Sequence, residues 1–179
     1  MAENRILVVY YSRTGHTRAL AEWLAERLDA DVERLLDDVD RSGVRGFLRS
    51  ARDALRARLV HLHPLGHDPS RYDAVVVATP VWSLSLSSPV RSFLEMNRDR
   101  LRGVAFVVAC GGRGAQRVLG QMVEAATKVP LASLVVRDRD LGAEELPARL
   151  SAFAAKLGRP SLLPRMRAEP AAVATTSPH

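Results

Sequence analysis

The feature that most constrains this chain is a regular alternation. Apolar, β-branched runs of strand length occur at residues 5–11, 31–36, 74–78, 104–110 and 131–136, and helix-period segments at 17–28, 44–59, 90–97, 115–128 and 144–157 follow them in turn. Val75-Val76-Val77 and Phe106-Val107-Val108 are apolar on consecutive residues, the pattern of strands covered on both faces. Strands of that kind joined by right-handed helical crossovers give an α/β fold, a three-layer, doubly wound, five-stranded parallel sheet. Ser88 followed by Pro89 reads as an N-cap and first-turn proline opening the third helix.

The 179 residues suffice for one such domain, placed at residues 1–158. Residues 159–179 hold four of the ten prolines among Ala, Ser and Thr without periodicity, and are expected to form a flexible tail. A hydrophobic content of 47% with 26% charged residues is that of a soluble globular protein. No apolar stretch approaches the ~20 residues a membrane helix needs. The N-terminus runs straight into Ile6-Leu7-Val8 without a signal-peptide pattern, so the expected location is cytoplasmic. Cys110, the only cysteine, excludes an intrachain disulfide and a clustered-cysteine metal site.

The net charge of +6 is concentrated. Residues 41–60 carry six arginines against Asp53 alone. Within them Arg45, Arg49, Arg52 and Arg56 fall on one helical stripe, opposite Val44, Leu48, Ala51, Leu55 and Leu59. The stripe is either a solvated face or a dock for an acidic partner. Specific nucleic-acid binding is not expected, since no aromatic shares that face and no DNA-binding motif surrounds it. His61, His63 and His67 lie around Pro64 and Gly66 without neighbouring cysteines or a carboxylate set, and read as a solvated loop rather than a metal site.

The strongest local signal follows the first strand, where Ser12-Arg13-Thr14-Gly15-His16-Thr17 leads into a helix. A phosphate needs converging donors; a helix N-terminus supplies unpaired N–H groups and a favourable dipole, and Ser and Thr add hydroxyls. Ordinary helix capping needs only one such hydroxyl. After the third strand come Thr79-Pro80-Val81-Trp82. Trp82 there reads as an aromatic face for a planar ligand or as a core tryptophan at a strand end. The fourth strand ends in Cys110-Gly111-Gly112-Arg113-Gly114, where the glycines let the backbone press against a flat ligand. Walker A and Gly-x-Ser-x-Gly motifs are absent, and Gly112-x-Gly114-x-x-Arg117 fails the dinucleotide fingerprint at its last position.

Tyr11-Ser12-Arg13-Thr14-Gly15-His16-Thr17 resembles the phosphate loop of flavodoxins and flavodoxin-like FMN oxidoreductases, whose pattern is Ser/Thr-x-Thr-Gly-x-Thr. Thr79 to Trp82 is similar to the Thr-Pro-Val-Trp loop that touches the isoalloxazine in one branch of that family. The resemblance spans about residues 5–158 and implies strand order 2-1-3-4-5, with FMN at the carboxyl ends of strands one and three. It implies Ser12, Arg13, Thr14, Gly15, His16 and Thr17 for the phosphate. Thr79, Pro80, Val81 and Trp82 would meet the ring, with Cys110, Gly111, Gly112 and Arg113 as the second flavin loop. That loop carries Arg113 where electron-carrier flavodoxins place an aromatic ring and acidic residues. With the basic charge, this favours an oxidoreductase passing electrons from NAD(P)H through FMN to a quinone or similar small-molecule acceptor. The alternatives are a one-electron carrier serving a redox partner protein and a flavin-free binding module.

Overall fold

The computed structural model describes residues 5–38, 52, 56 and 58–157. Strand β1 (Ile6–Tyr10) is buried along its length and pairs in parallel with β2 (Asp31–Arg34) on one side and β3 (Ala74–Trp82) on the other. β5 (Val104–Cys110) pairs with β3, and β6 (Ala132–Arg137) closes the far edge, giving the order β2-β1-β3-β5-β6. Counting parallel strands only, this is the expected 2-1-3-4-5.

Consecutive apolar residues in the inner strands supply two cores at once, because alternate side chains leave opposite faces of the sheet. Ile6, Val8, Tyr10, Val76 and Val107 face α1 (His16–Leu28) and α4 (Leu146–Ala155), whose Leu20, Leu24, Leu28, Leu150 and Phe153 complete that layer. Leu7, Val9, Val75, Val77, Phe106 and Val108 face α2 (Ser88–Asn97) and α3 (Ala115–Ala126), through Val90, Phe93, Leu94, Val118 and Met122. Phe93 is fully buried here, and truncating such a phenylalanine to alanine costs about 3 to 5 kcal/mol.

Three local features depart from the sequence reading. β3 runs on to Trp82 and turns back through Ser83 and Leu84 into a two-residue antiparallel strand, β4 (Ser85–Leu86), which was not expected. The N-cap of α2 is Ser87 rather than Ser88. Its side chain does not cap the helix; its hydroxyl meets that of Thr79 at 2.9 Å, because the hairpin brings both inside the fold. At the edge, β2 stops at Arg34 instead of residue 36, and Leu36 is exposed.

The histidine segment is tied down by carboxylates. His61 Nδ1 and His63 Nε2 reach the two oxygens of Asp38 at 3.3 and 2.6 Å, and His67 meets Glu33 through both its backbone N–H and Nδ1. Of the basic stripe, only Arg52 and Arg56 belong to the described residues. Both are exposed, and the Arg56 N–H donates to the Arg52 carbonyl at 3.1 Å. Arg45, Arg49 and the expected tail at 159–179 lie outside the described residues, as does the domain boundary at 158. Among the described residues no helix is long and apolar enough to cross a membrane.

Candidate functional site

The ends of β1, β3, β5 and β6 open together onto a cleft of about 280 Å³. This is the carboxyl edge of the sheet, where strand order reverses between β1 and β3 and an open α/β sheet leaves room for a ligand. Arg13, Thr14, His16 and Thr17 form one wall, Pro80, Val81 and Trp82 a second, and Ala109, Cys110, Gly111 and Asp138 the remainder.

The first wall is shaped by Gly15. Its φ of +96° is left-handed backbone that glycine adopts without a side-chain clash, and it forms the N-cap of α1 without any side-chain cap. Ser12 turns its oxygen inward and accepts the Gly15 N–H at 3.1 Å, which holds the loop. Thr14 and Thr17 therefore do not serve as caps; both line the cleft, and Thr17 is only 3% exposed. An uncapped helix N-terminus beside two hydroxyls is a donor set suited to a phosphate ester.

On the second wall, Trp82 is nearly buried and stands edge-on to Tyr11, with ring centroids 5.2 Å apart and planes at 89°. It is thus at once a packed core residue and part of the cleft lining. Cys110 is buried; its thiol lies 3.7 Å from the Gly112 carbonyl oxygen.

Not every expected residue comes to the cleft. Thr79 is wholly buried and spends its hydroxyl on Ser87 and the Pro80 carbonyl. Ser12 and Gly15 shape the loop rather than line the cavity, and Gly112 and Arg113 lie outside the lining. Asp138, by contrast, was not anticipated. It begins the short turn after β6, with Oδ1 3.7 Å from His16 Nδ1. The rule that ligands sit at strand carboxyl ends was the one available signal for it.

The model of the NADPH-dependent FMN reductase family matches residues 4–145, most of the chain. The chain belongs to this family of flavodoxin-like, FMN-binding oxidoreductases. A relative of this FMN reductase family member, a NAD(P)H dehydrogenase (quinone) from Cupriavidus metallidurans, is 32% identical over 99 residues. That match covers 51% of this chain and 46% of the relative, so the chain spans about half the length of that curated protein. The fold is shared with a flavoprotein from Lactobacillus acidophilus solved in complex with FMN, at TM-score 0.62 and 20% identity, covering 78% of this chain and 97% of that one. It is shared too with two-electron reduced Megasphaera elsdenii flavodoxin, at TM-score 0.54 and 17% identity, covering 86% and 99%.

Proposed function

We propose that this FMN reductase family member carries electrons from NADPH or NADH to a quinone or a similar small acceptor, with FMN seated in the cleft at the ends of β1 and β3. The observation that carries the reading is the uncapped start of α1, flanked by the unspent hydroxyls of Thr14 and Thr17, at the reversal point of the sheet. When bound, FMN supplies the redox chemistry, which the protein's side chains do not.

Each wall then has a task. The first-turn N–H groups of α1, with Thr14, Thr17 and the Arg13 guanidinium, hold the phosphate; Ser12 keeps Gly15 in its left-handed turn so that those N–H groups stay pointed at it. Pro80, Val81 and Trp82 present backbone polar groups and an aromatic edge to the ring. Cys110 and Gly111 close the opposite side with little bulk. No side chain in the lining is needed as a general acid or base.

The deciding experiment is an absorbance spectrum of the purified protein followed by anaerobic addition of NADPH or NADH, then of a quinone. Bleaching of the flavin band and its recovery on adding quinone are expected. Bleaching by a flavodoxin reductase but by neither nicotinamide would assign the protein to one-electron carriers instead. A protein that binds no flavin would be a binding module.

A further inference from the structure

Asp138 holds the one carboxylate among the cleft-lining residues, and none of the described residues donates a hydrogen bond to it. The nearest basic side chain, through His16 Nδ1, is 3.7 Å away, beyond hydrogen-bond range. Its other oxygen, Oδ2, lies only 3.1 Å from where a Cβ on Gly111 would sit, and Gly111 does not need positive φ. A Cβ at Gly111 would thus crowd this carboxylate, and the glycine leaves it room.

An ionised carboxylate only accepts hydrogen bonds, so it repels a phosphate and calls for a donor. FMN carries donors in two places, the hydroxyls of its ribityl chain and the ring's imide N–H. Asp138 lies beside His16, the first residue of α1, whose uncapped start supplies the donors suited to the phosphate. The part of FMN covalently next to the phosphate is the ribityl chain.

We propose that Asp138, given room by Gly111, accepts a hydrogen bond from the ribityl chain and so selects flavins that carry a hydroxylated side chain. The inference rests on the flavin reading of the cleft and adds to it a specificity-determining residue. Asp138 also counters the loop's preference for negative charge, so the cleft selects a phosphate followed by a polyol rather than an anion of any kind.

The test is a set of binding titrations followed by flavin fluorescence, using FMN, riboflavin and lumiflavin, which keeps the ring N–H but lacks the ribityl chain. Asp138→Ala is expected to weaken riboflavin by about 10-fold and FMN by less, because the FMN phosphate is at the same time relieved of the carboxylate's repulsion, and to leave lumiflavin unchanged. Gly111→Ala, which crowds the carboxylate, is expected to reproduce the same selectivity. Because none of the described residues hydrogen-bonds to the Asp138 side chain, both variants should keep the wild-type circular dichroism spectrum. Equal weakening of all three ligands would overturn the proposal, as would a gain in FMN affinity with riboflavin unchanged, or no change at all. If the wild-type protein bound neither FMN nor riboflavin, the flavin reading itself would fall.

Discussion

A Cβ on Gly114 would sit 2.9 Å from the Cα of Leu84, so the tip of the β3–β4 hairpin and the entry to α3 pack backbone against backbone. Gly114 has φ of +95°, and Ser83 and Leu84 at the hairpin tip are also left-handed, at +47° and +61°. A branched, bulky residue in that region costs roughly 1 to 2 kcal/mol. The hairpin that follows the second wall of the cleft is therefore held by its contacts rather than by local preference.

Gly114→Ala combines a left-handed penalty with a clash against main chain. It is expected to destabilise the protein by about 2 to 4 kcal/mol, read from the urea midpoint. Leu84→Asn, which suits φ near +60°, is expected to raise stability by about 0.5 to 1 kcal/mol at the same backbone geometry. A Leu84→Asn midpoint below wild type would show that the side-chain contact with Gly114 outweighs the backbone cost.

The β4 hairpin was invisible in the sequence for a physical reason. Ser83-Leu84-Ser85-Leu86-Ser87-Ser88 contains no Gly, Asn or Asp to announce a turn with positive φ, and a two-residue strand has no periodicity. The inner strands were legible because burial on both faces forces unbroken apolar runs. Of the cleft, the segments built from contiguous motifs could be read, from Arg13 to Thr17, from Pro80 to Trp82, and Cys110 with Gly111. Asp138 could not, because in Arg137-Asp138-Arg139-Asp140 a cleft-lining carboxylate looks like any solvated charge.

Thr17→Val keeps shape and removes one hydroxyl from a nearly buried position that makes no cap. FMN affinity should fall by about 10-fold to 150-fold, the value of one charge-assisted hydrogen bond, while the thermal midpoint of the apoprotein stays within about 2 °C of wild type. Titration by flavin fluorescence together with a melting curve separates the two effects. A large loss of apoprotein stability would mean that the hydroxyl serves the fold instead.

FMN binding should quench Trp82 emission strongly and Trp23 weakly, since Trp23 lies on α1 with the Arg27 guanidinium 4.4 Å over its ring and is not part of the cleft lining. In Trp82→Phe most of the flavin-dependent quenching should vanish. Quenching that survived undiminished would move the ring away from the second wall.

Tyr72 makes the fold sensitive to alkali. Burial, then its hydrogen bond to Asp31 at 2.7 Å, raises its hydroxyl to about 12. An acid whose folded value is raised stabilises fully below the unfolded value, near 10, and that contribution is lost as pH climbs from there to about 12. Stability measured between pH 9 and 12 should therefore fall by about 2 kcal/mol more steeply in wild type than in Tyr72→Phe. Parallel slopes would remove Tyr72 from the explanation.

At the acid end the sign reverses. The Arg137 backbone N–H, then the Arg149 guanidinium at 2.9 Å, hold Asp140 below the usual carboxylate range. Asp38 is lowered chiefly by His63, and Asp68 by Ser70. Their stabilisation is present above the unfolded value near 4 and disappears as pH drops through the lower folded values. Asp140→Asn should therefore lower stability at neutral pH and flatten the acid limb, its profile converging with that of wild type as pH falls below about 4, as followed by circular dichroism.

The edge-on meeting of Tyr11 and Trp82 has a kinetic consequence. These rings join the chain leaving β1 to the end of β3, and β1 and β3 are neighbours in one ladder, Tyr10 pairing with Ala78. The two principal walls of the cleft are thus fastened to adjacent strands at the fixed spacing of a sheet, with no hinge between rigid bodies to part them. A bound ligand is therefore expected to leave by local fraying of the loops above the strands. Its residence time should follow the stability of those few turns, and tightening the Ser83–Leu84 tip should slow release without altering the rate of capture.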